Sequence, residues 1–146
     1  MVLTRFPGET LEPLHNAHFA NRLNVTYYIS LHFYQETTTK PRLYIYHFSY
    51  GDDFIAKTQE LTFYPYDKAH IPAMPLTHQL AHTLQQSLAQ KSRFDVHSVV
   101  KLPFKPLMGI KAPAIALEIG LVSKDDWHAC VDALTESIQS TLIPLI

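Results

Sequence analysis

Apolar residues recur at two different periods along this 146-residue chain, and their alternation sets the expected fold. Leu11, Leu14, Phe19 and Leu23, with Ala17 and Ala20, share one face of a helix predicted over 11–23, with Thr10 as N-cap and Glu12 in its first turn. Val25 to Leu31 follows, β-branched and aromatic with apolar residues on both faces, the pattern of a strand covered on two sides. Leu43 to Phe48, "LYIYHF", reads as a second strand. The segment 50–76 breaks the pattern with Gly51, Pro65, Pro72 and Pro75 among several aromatics, so it is expected to be a long excursion with little regular structure.

Periodicity resumes at Leu76, Leu80, Leu84 and Leu88, spaced by four, which predicts an amphipathic helix over 76–88. Val96 to Leu102 and Ile115 to Ile119 are the remaining strand candidates. A terminal helix begins at Lys124-Asp125-Asp126, with Trp127, Val131, Leu134, Ile138 and Leu142 on one face. Alternating strands and helices predict a single α/β domain over 1–146, three-layered, with helices on both faces of a mostly parallel sheet.

Composition narrows the function classes. Apolar residues make up 47% of the chain and charged residues 17%, which suits one core large enough to fold alone. Twelve basic against thirteen acidic residues give a net charge of -1, so no general attraction to nucleic acid or an anionic membrane is expected. No apolar run is long enough to insert in a membrane, and no signal peptide is visible. A single cysteine, Cys130, excludes an internal disulfide and a zinc site built on paired cysteines. Four scattered glycines make no phosphate-binding loop, and there is no G-x-S-x-G elbow.

Two positions stand out chemically. His32 in "ISLHFY" is expected just past a buried strand, where open α/β sheets collect functional residues; it is either a metal ligand or a histidine the core tolerates. Glu118 interrupts the apolar "AIALEIG", and an unpaired buried carboxylate costs several kcal/mol, about 3 to 5. It therefore either faces a cleft as a base or ligand, or sits on an edge strand facing water. His78 and His82 at i and i+4, and His15 and His18 one turn apart, have metal-pair spacing, but nothing beside them completes a ligand set, and exposed helix positions explain them.

Four blocks, in order, resemble the zinc-dependent N-acetylmuramoyl-L-alanine amidases, cell-wall hydrolases of bacteria and phages. "VLTR" is similar to the family's second strand, and "HFANRLNVTYYISLHF" to its A-N-x-x-x-A-D-x-F-I-S-I-H stretch, from Ala20-Asn21 to Ser30-Leu31-His32. "THQLAHTLQQSL" is similar to its long helix, and "LMGIKAPAIALEIGLVSKDDW" to the segment with Pro113-Ala114, Glu118-Ile119-Gly120 and Ser123 in place. The resemblance implies that His32 is a zinc ligand and Glu118 the catalytic glutamate. In that chemistry zinc lowers the pKa of bound water to about 7 and polarises the scissile carbonyl, while the carboxylate carries the proton to the leaving amine.

The same resemblance implies what would be missing. The family's first strand and helix, with a D-P-G-H-G-G histidine and a ligand glutamate, would stand ahead of "VLTR", where this sequence has only Met1. Gly8 stands where the family has Asp, Asn16 where it has Arg, Phe33-Tyr34 where it has a small polar pair, and Lys124 where it has Asn. The implied reading is an N-terminally truncated, degenerate amidase-like domain that binds or assembles at peptidoglycan or with a cell-wall protein. The alternatives are an active zinc amidase whose other ligands come from absent sequence or another chain, and a non-enzymatic protein-interaction module. The setting implied is periplasmic, extracellular or that of phage lysis. Loss of an inner strand would expose the edge near Val2-Leu3-Thr4, and with it a homodimer through paired sheet edges.

Overall fold

Alternation of bulky and small residues in one strand decides how the layers stack. The structure, a computed structural model, describes residues 2–3, 12–48, 65–91, 93–101 and 104–143. Its regular elements are α1 (Pro13–Leu23), β1 (Tyr28–Gln35), β2 (Arg42–His47), α2 (Met74–Gln90), β3 (Asp95–Lys101), β4 (Ala114–Leu121) and α3 (Trp127–Leu142). The four strands form one sheet in the order β1-β4-β2-β3. The β1/β4 and β2/β3 pairs are parallel, while β2 and β4 run antiparallel. The sheet is thus mostly parallel, with one reversal at its centre.

On one face, Ile115, Leu117 and Ile119 of β4 join Leu43 and Ile45 of β2 beneath Leu80, Leu84 and Leu88 of α2 and Cys130 and Leu134 of α3. On the other face β4 presents Ala114 and Ala116, small enough for Ala17 and Ala20 of α1 to pack close, with Tyr28, Leu107 and Ile110 completing a second cluster. Helices therefore cover both faces, as the sequence predicts. Thr77 of α2 ties the layers together, its hydroxyl accepting the Ala114 amide at 3.3 Å.

Local chemistry accounts for the element ends. Pro13 opens α1, and Asn24 closes it in the left-handed region at φ 49°. Ser123 and Asp126 form a reciprocal capping box ahead of α3, with the Ser123 amide donating to Asp126 Oδ2 at 3.1 Å.

Several sequence expectations need correction. Strand β1 lies further along the chain than 25–31, because pairing with β4 begins where the Tyr28 amide donates to the Pro113 carbonyl and continues through Phe33 and Tyr34. His32 consequently sits inside the strand, not beyond it. The stripe expected along α3 holds at Leu134, Ile138 and Leu142, which pack into the core beside the buried Cys130, Ser137 and Thr141, while Trp127 at its start is exposed. Leu76 at the start of α2 is exposed, while His78 is half-buried with its ring 4.6 Å from that of His47. Val2 and Leu3 are in no strand; Thr4, Gly8 and Thr10 lie outside the described residues, as does most of the 50–76 excursion. The part that is described has 3-10 turns at Tyr66–Lys68 and Ile71–Ala73. No helix among the described residues is long and apolar enough to cross a membrane.

Candidate functional site

Glu118 lies on β4, which is interior to the sheet, so an edge strand does not explain a carboxylate there. Parallel pairing sets it directly beside His32 on β1, and antiparallel pairing sets it beside Tyr44 on β2. His32 Nδ1 and Glu118 Oε1 are 3.9 Å apart, an ion-pair separation longer than a hydrogen bond. The His32 side chain is 66% exposed and that of Glu118 30%, so both are open to solvent from the face that α1 leaves uncovered.

The environment compensates the carboxylate. Tyr46, also on β2, hydrogen-bonds Glu118, and burial first, then that bond, push its phenol up to about 12. Tyr46 is therefore a permanent donor to the carboxylate near neutral pH. Around it runs a row of rings: Tyr44 stacks on Tyr46 at 6.3 Å and on His97 at 4.9 Å, Tyr46 on Phe104 at 5.0 Å, and His32 on Tyr34 at 6.1 Å. The planes of these neighbouring rings lie within 27° of parallel.

A second carboxylate lies one step along the sheet. Glu36 Oε1 accepts from Arg42 Nη1 at 3.0 Å, while Glu36 Oε2 rests over Gly120. A Cβ on Gly120 would come within 2.5 Å of that oxygen and 3.1 Å of the Tyr34 hydroxyl, so only glycine lets the two side chains cross the strand here. Burial raises the Tyr34 phenol, Glu36, Tyr44 and Glu118 raise it further, and Arg42 works against them.

Sequence reasoning located His32 and Glu118, and the fold brings them together. It missed Tyr44, Tyr46, Glu36 and Arg42. The alternation in "LYIYHF" marked the two tyrosines as sharing a face; nothing local marked the ion pair. Cys130 is buried and its thiol is raised by burial, in keeping with no nucleophilic role.

A zinc centre of the open catalytic type needs three protein ligands. Among the described residues no group of three His, Cys, Asp or Glu side chains could hold a metal ion. Among the described residues His32 and Glu118 have no third ligand beside them, and Glu36 is committed to Arg42. These residues alone do not fit zinc.

Comparison with known proteins rests on the fold. No family model matches the sequence, and no curated protein does either. Solved structures do. An N-acetylmuramoyl-L-alanine amidase from Clostridium difficile 630 superposes with TM-score 0.62 at 18% identity, over 98% of this chain and 69% of its own. This chain has the amidase fold. An N-acetylmuramoyl-L-alanine amidase of Nostoc punctiforme gives TM-score 0.61 at 16% identity over 99% of this chain and 71% of its own. One from Mycobacterium smegmatis gives 0.62 at 15% over 97% and 66%. The likeness runs through every described element, while about three tenths of each amidase has no counterpart here.

Proposed function

We propose that this amidase-fold domain associates with peptidoglycan and works by binding or assembly, with an incomplete zinc site. The observation that carries the reading is the His32–Glu118 pair set on a broad aromatic face, with no third metal-ligating side chain beside it among the described residues. Phenol hydroxyls, two carboxylates and a guanidinium give many hydrogen-bonding groups on one face, which suits a polymer rich in hydroxyls and amides. The proteins sharing the fold are named as N-acetylmuramoyl-L-alanine amidases, which supports peptidoglycan as that polymer.

Sedimentation with insoluble peptidoglycan tests the reading. The protein is expected in the pellet, its retention falling in a Tyr44→Ala/Tyr46→Ala variant, with no peptide stems released. Release of stems that is abolished by Glu118→Gln would replace this reading with an active zinc amidase. That alternative is favoured by the roughly three tenths of the solved amidases that this chain does not span, where further ligands would be supplied. Absence of both retention and release would leave a protein-interaction module, or a cell-wall protein as the partner.

A homodimer through the sheet edge is part of the same proposal. What supports it is the position of β1, which has β4 on one side and no strand on the other among the described residues. Light scattering that shows only monomer at high concentration would remove it.

A further inference from the structure

A concavity lies beyond the start of β4, away from the face around Glu118. Lys111 precedes Ala114, the first residue of β4, and Glu118 is four residues further, about 13 Å at roughly 3.3 Å per strand residue. The recess has a volume of about 750 Å³, within the range of small-molecule sites, and three segments that are distant in sequence build it: α1, the turn at Tyr66, and the stretch around Gly109.

Its charge is one-sided. Arg22 and Lys111 line it together with the imidazoles of His15 and His18, and none of the described residues lining it is acidic. His15, His18 and Arg22 are spaced i, i+3 and i+7, which places them on one face of α1. In a chain of net charge -1, such clustering of nitrogen donors is local and not a reflection of composition. Phe19 and Tyr66 supply the apolar part of the wall, and the Arg22 guanidinium lies 5.8 Å above the Phe19 ring, an arrangement that holds the cation in place.

The walls are fixed relative to one another. Asn21 uses both ends of its amide: Nδ2 donates to the Gly109 carbonyl at 2.8 Å, and Oδ1 accepts the Lys111 amide at 3.0 Å. Tyr66 donates to the Met108 carbonyl at 3.0 Å, and its ring occupies the space a Cβ on Gly109 would need. His18 meets the same ring edge-on at 6.5 Å. The backbone that carries Lys111 is thus pinned to the helix that carries Arg22, so less ordering is required when a ligand binds.

We infer that this recess binds an oxyanion, a phosphate- or carboxylate-bearing group that Arg22 and Lys111 grip together with the two imidazoles. The shared chemistry is a compact anion with several acceptor oxygens, for which the Arg22 guanidinium, a lysine on an anchored backbone and imidazole N–H donors are complementary. The inference does not depend on what Glu118 does.

Calorimetric titration of the whole chain with pyrophosphate and, separately, with citrate tests it and distinguishes the two sources. Saturable one-site binding of either probe is expected, with glucose as a neutral control giving none. An Arg22→Ala/Lys111→Ala variant should bind at least about tenfold more weakly, while Lys40→Ala, elsewhere on the surface, should bind as the parent does. Raising salt from 0.1 M to 1 M shortens the screening length from about 10 Å to about 3 Å and should weaken binding in the parent. Failure of both anions to saturate, or equal weakening in Lys40→Ala, would overturn the assignment. The double variant replaces exposed side chains, and an unchanged melting temperature will show that it folds.

Discussion

His32 on β1 and Glu118 on β4 are register partners across a parallel strand pair, with Nδ1 and Oε1 3.9 Å apart on a face that solvent reaches. Eighty-six positions of sequence separate them, and only the pairing of the two strands makes them neighbours. Two groups of this kind bind zinc weakly when no third ligand is fixed beside them. Protein purified with zinc present and then dialysed is therefore expected to carry well below one ion per chain, and His32→Ala should leave that content unchanged. Elemental analysis decides: about one zinc per chain, lost on substitution of His32, would contradict the proposal of an incomplete site.

Tyr46 supports Glu118, and its titration gives a second prediction. Its folded value is about 12 against 10 for the free phenol, so the native state holds the proton more tightly. The stability this contributes is present in full below pH 10 and declines as pH rises toward 12. Tyr28, Tyr34 and Tyr66 are raised as well and act in the same direction. Tyr46→Phe should flatten part of that decline and cost about 1 kcal/mol at neutral pH through the lost hydrogen bond. Denaturant unfolding across pH 8 to 12 will show whether the slope changes.

His70 gives the opposite window. It is buried, and burial lowers its imidazole to about 4 from 6.5, partly offset by Asp67. Because the folded value is depressed, the neutral form is the one the fold accepts, and stability present above pH 6.5 is lost as pH falls toward 4. His70→Asn is expected to be less sensitive across that window than the parent. Melting temperatures at pH 7 and pH 4.5 compare the two directly; parallel slopes would rule the histidine out as the source.

Much of this architecture is readable in the sequence, for physical reasons that differ by element. β2 and β4 are short apolar runs in which neighbouring side chains go to opposite faces, and α2 repeats leucine every fourth residue; such patterns survive any tertiary context. The start of β1 is not readable, because Val25 and Tyr27 are as β-prone as the residues after them and only pairing with β4 chooses Tyr28. Along α3, Leu134, Ile138 and Leu142 are legible as core residues; the burial of Cys130, Ser137 and Thr141 is not, because they are small or polar, nor is the exposure of Trp127. The reversal of β2 against β4 has no local signal either: β4 is parallel to β1, and β2 comes back antiparallel to both after the short link 36–41. At the site, Glu118 was visible because a carboxylate is costly in an apolar strand, whereas the tyrosines and the Glu36–Arg42 pair looked like ordinary surface residues. Their significance lies in which strand they face.

Two glycines give a paired prediction, one beside the aromatic face and one in the basic recess. At Gly120, an added methyl would press on Glu36 Oε2, the far end of a long side chain, and on the Tyr34 hydroxyl at 3.1 Å, and the backbone there is ordinary strand. The end of the Glu36 side chain can shift only by straining its bond to Arg42, so Gly120→Ala should cost about 1 to 2 kcal/mol. At Gly109 the backbone has φ +80°, and an added Cβ would fall within 2.2 Å of two ring carbons of Tyr66. The ring cannot yield without breaking its bond to the Met108 carbonyl, and the left-handed backbone is itself strained for alanine. Gly109→Ala should cost about 2 to 4 kcal/mol and should displace Tyr66 from the wall of the basic recess. Urea unfolding of the two variants measures the difference, and equal losses would show that Tyr66 is not locked by Gly109. Anion titration of Gly109→Ala adds a readout that stability alone does not move: binding should weaken there and remain intact in Gly120→Ala.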